Sequence, residues 1–312
     1  MQKYPLKILG TGSYFPKKIL YNKNLKINHN IPNNMWIVDK IGIKQRHQIN
    51  KNERTSTIGY NSSIKALEDA KLNINDIDLI ITNTSTPDRI SPSTACIIQD
   101  LLNSKKDIPC FDINAVCSGF LYSLDLCSQL VNKYKNIMII SSETYSTITD
   151  YNDRNCVFFG DGAATTIVTK GNTGWYYGNI YADGKGKENF TVHHGKTFLM
   201  NGKEVYNTGI KVLPNSILKC IEEAKINIEE IDYFIPHQPS YKILHKTAEL
   251  IGLDKNKIMM NMDLRANTAG ASIPTVLDDV LKNNIVKNNS KLLFASVGSG
   301  WTWGAGVLNF EK

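Results

Sequence analysis

No two cysteines in this sequence stand as C-x-x-C. None of the six, at positions 96, 110, 117, 127, 156 and 220, has ligand spacing with the histidines. Neither a zinc site nor a disulfide framework is therefore expected. Long uncharged runs are also missing: nothing is long enough to span a bilayer, and no apolar stretch follows Met1-Gln-Lys-Tyr-Pro5. We expect a cytoplasmic protein without membrane contact, a setting in which thiols stay reduced. A full phosphate-binding glycine signature is absent as well. Gly10-Thr-Gly12 follows the strand-like Leu6–Leu9 but lacks the third glycine and the helix behind it, which speaks against a dinucleotide site. Finally there is no basic block. The net charge of +7 is spread as lysines among asparagines, so no nucleic acid is expected, and at most the excess suits acidic small molecules or an acidic carrier.

What is present is an ordinary globular composition, 42% hydrophobic and 21% charged over 312 residues, and an internal repeat. Ala70-Lys-Leu-Asn-Ile-Asn-Asp-Ile-Asp-Leu-Ile-Ile-Thr82 and Ala224-Lys-Ile-Asn-Ile-Glu-Glu-Ile-Asp-Tyr-Phe-Ile-Pro236 share most positions. The same register pairs Cys117-Ser118 with Ala271-Ser272 and Ile137–Ile140 with Lys291–Phe294. Two copies make a duplicated unit, not a solenoid. We expect halves at 1–170 and 171–312, each an α/β unit of strand, helix, strand, helix, strand with closing strands. Helices are predicted over 56–70, 93–102, about 205–224 and 241–251, with another after Pro274, and strands over 77–82, 137–142 and 231–235. The stretch from Leu25 to Ile49, with Trp36, Lys40, Lys44 and Arg46, reads as irregular and polar.

Asp112-Ile-Asn-Ala-Val-Cys117-Ser-Gly-Phe120 joins a strand to an amphipathic helix, because Phe120, Leu124, Cys127 and Val131 recur on one helical face. Cys117 then falls near a helix N-terminus, where the positive end of the dipole favours thiolate and is expected to lower its pKa. Taken alone, such a cysteine is more often a small buried hydrophobe. His237, in Pro236-His237-Gln238-Pro239, and Asn267 also follow strand-like runs, and ligands of α/β sheets gather at the carboxyl ends of strands.

Together, Ile113-Asn-Ala-Val-Cys117-Ser-Gly-Phe120, Ile235-Pro-His237-Gln238, Asn267-Thr-Ala-Gly-Ala-Ser-Ile-Pro274 and Gly298-Ser-Gly-Trp-Thr-Trp-Gly304 resemble the motifs of β-ketoacyl-carrier-protein synthase III, a condensing enzyme of the thiolase fold. The likeness covers nearly the whole chain. It implies a thiolase-like duplicated αβαβα five-layered fold and a homodimer. It also implies decarboxylative condensation of an acyl primer, from acyl-CoA, with a malonyl thioester on an acyl carrier protein. Coenzyme A would be a substrate, with no tightly bound cofactor and no metal. Cys117 would carry the acyl group. His237 and Asn267 would donate hydrogen bonds to the malonyl thioester oxygen, and His237 would also assist the thiolate. Backbone N–H groups of Cys117 and of the turn at Gly298–Gly300, Ser299 included, would form the oxyanion hole. Trp36 and Arg154 match positions that grip the adenine end of coenzyme A, and Lys40 stands where the family has an arginine.

Several positions depart from the family. On the helix that docks the carrier, Lys242 replaces an arginine, while Glu249 and Leu250 replace lysines. Ser91, before Pro92, and Val297 replace phenylalanines, Pro239-Ser240 replaces alanine and asparagine, and the loop 183–200 is shorter. These changes are expected to widen or reshape the pocket for a bulkier or unusual primer. Two other readings are an acyltransferase that moves the acyl group to an oxygen or nitrogen acceptor without condensation, and a non-catalytic thioester binder. Asn267 argues against the first, and Cys117 against the second.

Overall fold

The computed structural model describes residues 2–25 and 31–312. Its first half contains β1 (Tyr4–Pro5), β2 (Lys7–Tyr14), β3 (Lys18–Tyr21), α1 (Asn34–Lys40), β4 (Gln45–Gln48), α2 (Thr55–Ala70), β5 (Leu79–Asn83) and α3 (Thr94–Leu101). It continues with β6 (Cys110–Ile113), α4 (Gly119–Leu130), β7 (Ile137–Glu143) and β8 (Gly162–Thr169). The second half contains β9 (Trp175–Ala182), β10 (Phe190–Thr191), β11 (Leu199–Met200), α5 (Gly202–Ala224), β12 (Tyr233–Pro236) and α6 (Tyr241–Ile251). It closes with α7 (Met262–Arg265), α8 (Ser272–Lys282), β13 (Lys291–Gly298) and β14 (Thr302–Asn309).

Two five-stranded sheets carry the molecule, ordered β2-β8-β7-β5-β6 and β1-β9-β14-β13-β12. The central strands are apolar on both faces, as strands covered from both sides must be. Leu79 and Ile81 of β5, with Ile137 and Ile139 of β7, face a core shared with α4, α8 and the inner residues Leu292 and Phe294 of β13. Ile80, Met138 and Ile140 point the other way, under α2 and α3. On the second sheet Leu293, Ala295 and Val297 meet α5 and α6. The layers run α2/α3, sheet, α4/α8, sheet, α5/α6. β12 begins at residue 233 and β13 at 291, matching β5 and β7 in the register of the sequence repeat. The edges differ. Where the first sheet has β6, the second has a single parallel bridge between Phe234 and Ile258, and Tyr4–Pro5 crosses over to pair with β9.

The stretch expected to be irregular between Leu25 and Ile49 contains α1 and β4; its residues 26–30 lie outside the described residues. Asn33 caps α1 through a 2.9 Å bond from Trp36 N, and Ile37, Ile41 and Ile43 bury against Cys156 and Val157. The apolar positions are sparse, so the helix is held by its cap and one satellite core rather than by an extended periodic face. Arg46 is no surface cation. It is fully buried, donating to Asn22 Oδ1 at 2.8 Å and to the Val157 carbonyl at 2.9 Å.

α2 lies directly on β2. A Cβ on Gly12 would fall 2.5 Å from Ala66 N and 2.6 Å from the Ser62 carbonyl oxygen, both backbone atoms. Gly12→Ala must therefore push a helix off a sheet. A loss of about 3 kcal/mol is expected, read as a lower urea midpoint with unchanged slope. No helix among the described residues is long and apolar enough to cross a membrane.

Candidate active site

A cavity of about 470 Å³ opens at the carboxyl ends of the central strands and is lined by Cys117, His237 and Asn267 together. All three are nearly buried, whereas Trp36, Lys40 and Lys242, which also line it, are exposed. The deep end is therefore thiol, imidazole and amide, and the mouth is aromatic and cationic.

Cys117 sits in a 3-10 turn, Val116–Ser118, that leads into α4. Val116 before it has φ +49°, a conformation that costs a β-branched residue about 1–3 kcal/mol. The turn is held from the other half. Ser296 Oγ donates to the Cys117 carbonyl at 2.8 Å, and Thr302 Oγ1 donates to the Ala115 carbonyl at 3.1 Å. A Cβ on Gly298 would lie 3.0 Å from both Ala115 O and Cys117 N, so only glycine lets β13 approach the nucleophile's backbone this closely.

The expectation of a lowered cysteine pKa is not met. Burial pushes the Cys117 thiol well up, and the Glu143 carboxylate adds to this, while the backbone N–H of Cys117 opposes it only in part. A helix N-terminus stabilises a thiolate, but burial with a carboxylate nearby costs more. Carbamidomethylation of Cys117 is expected to rise about tenfold per pH unit from 7 to 9 without a plateau. Mass-spectrometric rates would show it, and a plateau below pH 8 would contradict it.

His237 follows β12, with its backbone N–H donated to the Ala295 carbonyl at 2.9 Å. Burial lowers its pKa to about 3, against a raising contribution from the Ala269 carbonyl, so the ring is neutral at physiological pH. Its Nδ1 lies 2.7 Å from Ser272 Oγ. Asn267 is clamped between halves: its N–H donates to the Phe158 carbonyl at 3.1 Å, and its carbonyl accepts from Gly160 N at 3.0 Å. Ala269 N donates to Asn267 Oδ1 at 2.8 Å, which turns Nδ2, a donor, toward the cavity. Ala266 and Ala269, on either side, have φ +59° and +46°.

Sequence reasoning missed Glu143. It is fully buried at the end of β7, and accepts from Thr86 Oγ1 at 2.8 Å, from Ser85 N and Oγ, and from Gly270 N. Burial raises its pKa to about 7. The signal was an acid three residues past the apolar run Ile137–Ile140, after Ser141-Ser142. The loop 183–200, although short, still covers part of the site. β10 pairs with β11, and Phe190 and Phe198 pack with Tyr145 and Phe159 against Cys117. Tyr145 stacks on Phe159 at 4.4 Å between centroids, and Phe190 on Phe198 at 5.4 Å. Burying aromatic surface offsets the missing length.

Not every expected residue converges. Arg154 lies exposed in a short turn outside the cavity lining. Ser91 is exposed and also outside it, next to a cis peptide bond to Pro92. Val297 does line the cavity. Ser299 lines it too, but its Oγ donates to the Phe190 carbonyl at 2.5 Å, so the hydroxyl secures the loop. On α6, Glu249 is engaged by Lys246 at 2.7 Å, and Lys242 joins Lys40 at the mouth.

Two family models match the chain: 3-oxoacyl-(acyl-carrier-protein) synthase III over residues 111–184, and the C-terminal model of the same enzyme over residues 221–310. The β-ketoacyl-(acyl-carrier-protein) synthase III of Clostridium acetobutylicum is 37% identical over 98% of this chain and 99% of its own. The chain belongs to the β-ketoacyl-acyl-carrier-protein synthase III family. The Neisseria gonorrhoeae enzyme of that name is 38% identical over 97% of this chain and 99% of its own. The crystal structure of the Aquifex aeolicus synthase III, 34% identical, superposes with a TM-score of 0.94 over 98% of this chain and all of that one. The synthase III fold, thiolase-like and duplicated, is thus shared throughout, and the chain is a transferase of the condensing type.

Proposed function

We propose that this chain joins an acyl primer to a malonyl unit with loss of carbon dioxide. The primer arrives on coenzyme A, the malonyl group on an acyl carrier protein, and the product is a β-ketoacyl thioester. The Cys117 sulfur, after losing its proton, attacks the acyl-CoA carbonyl, and coenzyme A leaves as the thiol, taking a proton. Decarboxylation of the malonyl thioester places charge on its oxygen, where Asn267 Nδ2–H and His237 Nε2–H donate. The carbanion carbon then attacks the acyl-Cys117 carbonyl and expels the cysteine thiolate, which is reprotonated. The observation that carries this reading is the presence of thiol, imidazole and amide donor in one cavity. An acyltransferase without condensation has no enolate to stabilise and no use for Asn267.

Backbone N–H groups at Cys117 and the adjoining Gly298 turn are the proposed oxyanion hole, supported by their closeness. The exposed Trp36, Lys40 and Lys242 at the mouth suit a purine, phosphates and an acidic carrier. Arg154 stays a proposed coenzyme A contact from family likeness alone. A homodimer is proposed on β6, the edge strand of the first sheet, where Phe111 is exposed. The proposed location is the cytoplasm.

Intact-protein mass spectrometry with a panel of acyl-CoAs, followed by malonyl-carrier protein, tests the reading. An adduct on Cys117 that malonyl converts into a β-ketoacyl product is expected. An adduct that malonyl leaves untouched, but an alcohol or amine discharges, would sink the condensing role.

A further inference from the structure

Asn267 follows a residue whose backbone is strained. Ala266 has φ +59° and ψ −163°, a region nearly confined to glycine, and such a conformation persists only where its surroundings over-determine it. Asn267 itself is clamped by Phe158 and Gly160. On the other side of Ala266 stands Arg265, the last residue of α7, whose side chain reaches back into the first half. Its Nη1 lies 2.8 Å from His47 Nε2 on β4, and its guanidinium sits over the Phe15 ring, 4.0 Å from the centroid. The neighbours of His47 fix the sense of that contact. Nδ1 lies 2.6 Å from the Pro16 carbonyl, which only accepts, so the ring proton is on Nδ1. Nε2 is then a lone pair, and the group facing it is a guanidinium, which only donates. Burial lowers the His47 pKa, with the Arg265 charge adding to this and the Pro16 carbonyl opposing it.

A circuit closes through Asn267. The His47 carbonyl accepts from Asp161 N at 2.9 Å, and Gly160 N donates to the Asn267 carbonyl at 3.0 Å. A Cβ on Gly160 would fall 2.7 Å from the Arg265 carbonyl oxygen, so the two segments meet backbone to backbone. His47, Arg265, Asn267 and Gly160-Asp161 thus form one ring of contacts that passes twice between the halves, with Ala266 on its path. Resting on the condensing reading, we propose that Arg265 and His47 are positioning residues: their contact fixes the backbone ahead of Asn267 and so aims its side-chain donor at the malonyl thioester oxygen. Neither residue lines the cavity, so both act through Asn267. Their effect falls on condensation alone, because acylation of Cys117 makes no use of that donor. A small loss of aim is enough, since rates fall steeply when a reacting group is misplaced.

The test separates the two half-reactions in a set of variants. Arg265→Met keeps an apolar stem and removes every donor. It is expected to lower condensation about tenfold and to leave acylation of Cys117 within about twofold. Arg265→Lys, which keeps a donor and the charge but not the planar face over Phe15, should recover part of the loss. His47→Asn keeps an amide donor for the Pro16 carbonyl and lacks the Nε2 acceptor. It should match Arg265→Met, and the two changes together should be no worse than either. The decisive cycle places Arg265→Met in the Asn267→Ala chain. With the amide donor gone there is nothing left to aim, and the further loss in condensation is expected to stay within about twofold. A further loss of about tenfold there overturns the proposal, as does a loss shared equally by acylation and condensation, or an Arg265→Met protein that condenses normally. If a urea titration shows Arg265→Met unfolded, Arg265→Lys carries the same cycle. Failure of the condensing reading looks different: malonyl thioester then never discharges the adduct of the unmodified chain.

Discussion

Asn267→Asp lowers condensation by about 10²- to 10³-fold while the acyl adduct still forms on Cys117 at close to the normal rate. Aspartate keeps the oxygen that accepts from Ala269 N at 2.8 Å, so the loop and its left-handed residues Ala266 and Ala269 stay in place. What changes is the group facing the cavity. A donor becomes a carboxylate oxygen, which cannot hold the developing enolate and repels it. Acylation makes no use of that donor, so the two half-reactions separate. Single-turnover assays of each half would show the split, and equal losses in both would mean that Asn267 shapes the cavity rather than the transition state. Asn267→Ala is the harsher companion, because it also orphans a buried N–H.

Cys117→Ser is expected to reduce overall turnover by about 10⁴-fold and to abolish the malonyl-dischargeable adduct. The other cysteines do not substitute for it. Cys127, Cys156 and Cys220 are buried away from the cavity lining, and Cys96 and Cys110 sit on α3 and β6, with sulfurs 3.3 Å apart. A serine at 117 would be held by the same Ser296 and Thr302 bonds to its turn, so folding is preserved while the nucleophile is changed. Peptide mapping after acyl-CoA exposure checks this. A dischargeable adduct on any other cysteine would overturn the assignment of the nucleophile.

The raised Cys117 thiol and the depressed His237 imidazole bear on both results. They describe a neutral resting pair, not a preformed thiolate–imidazolium pair. A thiol held up by burial is why alkylation by a small reagent should climb steeply with pH.

Much of the architecture was legible in the chain itself. Repetition of Ala70–Thr82 at Ala224–Pro236 set the register of the two halves, and β5 and β12 obey it. Doubly apolar runs such as Ile137–Ile140 announced strands covered on both faces. The thiol and the imidazole follow strands, β6 and β12, and strand ends are where ligands collect; Asn267, expected to follow a strand as well, instead follows the short helix α7. α1 was not legible, since its stability comes from one cap and a satellite core assembled from distant residues. Nor was the true setting of Cys117, because local sequence reports the helix dipole but not how much water the other half removes.

The sequence by itself determined the duplicated α/β plan and the identity of the reactive groups, because periodicity and residue type are local properties. Only the tertiary structure decided their chemistry. Glu143 near the thiol, Ser272 against the imidazole, and Phe190 in the cavity wall lie far from Cys117 or His237 in the chain. Protonation state and access depend on through-space neighbours and excluded water, which no pattern along the chain encodes.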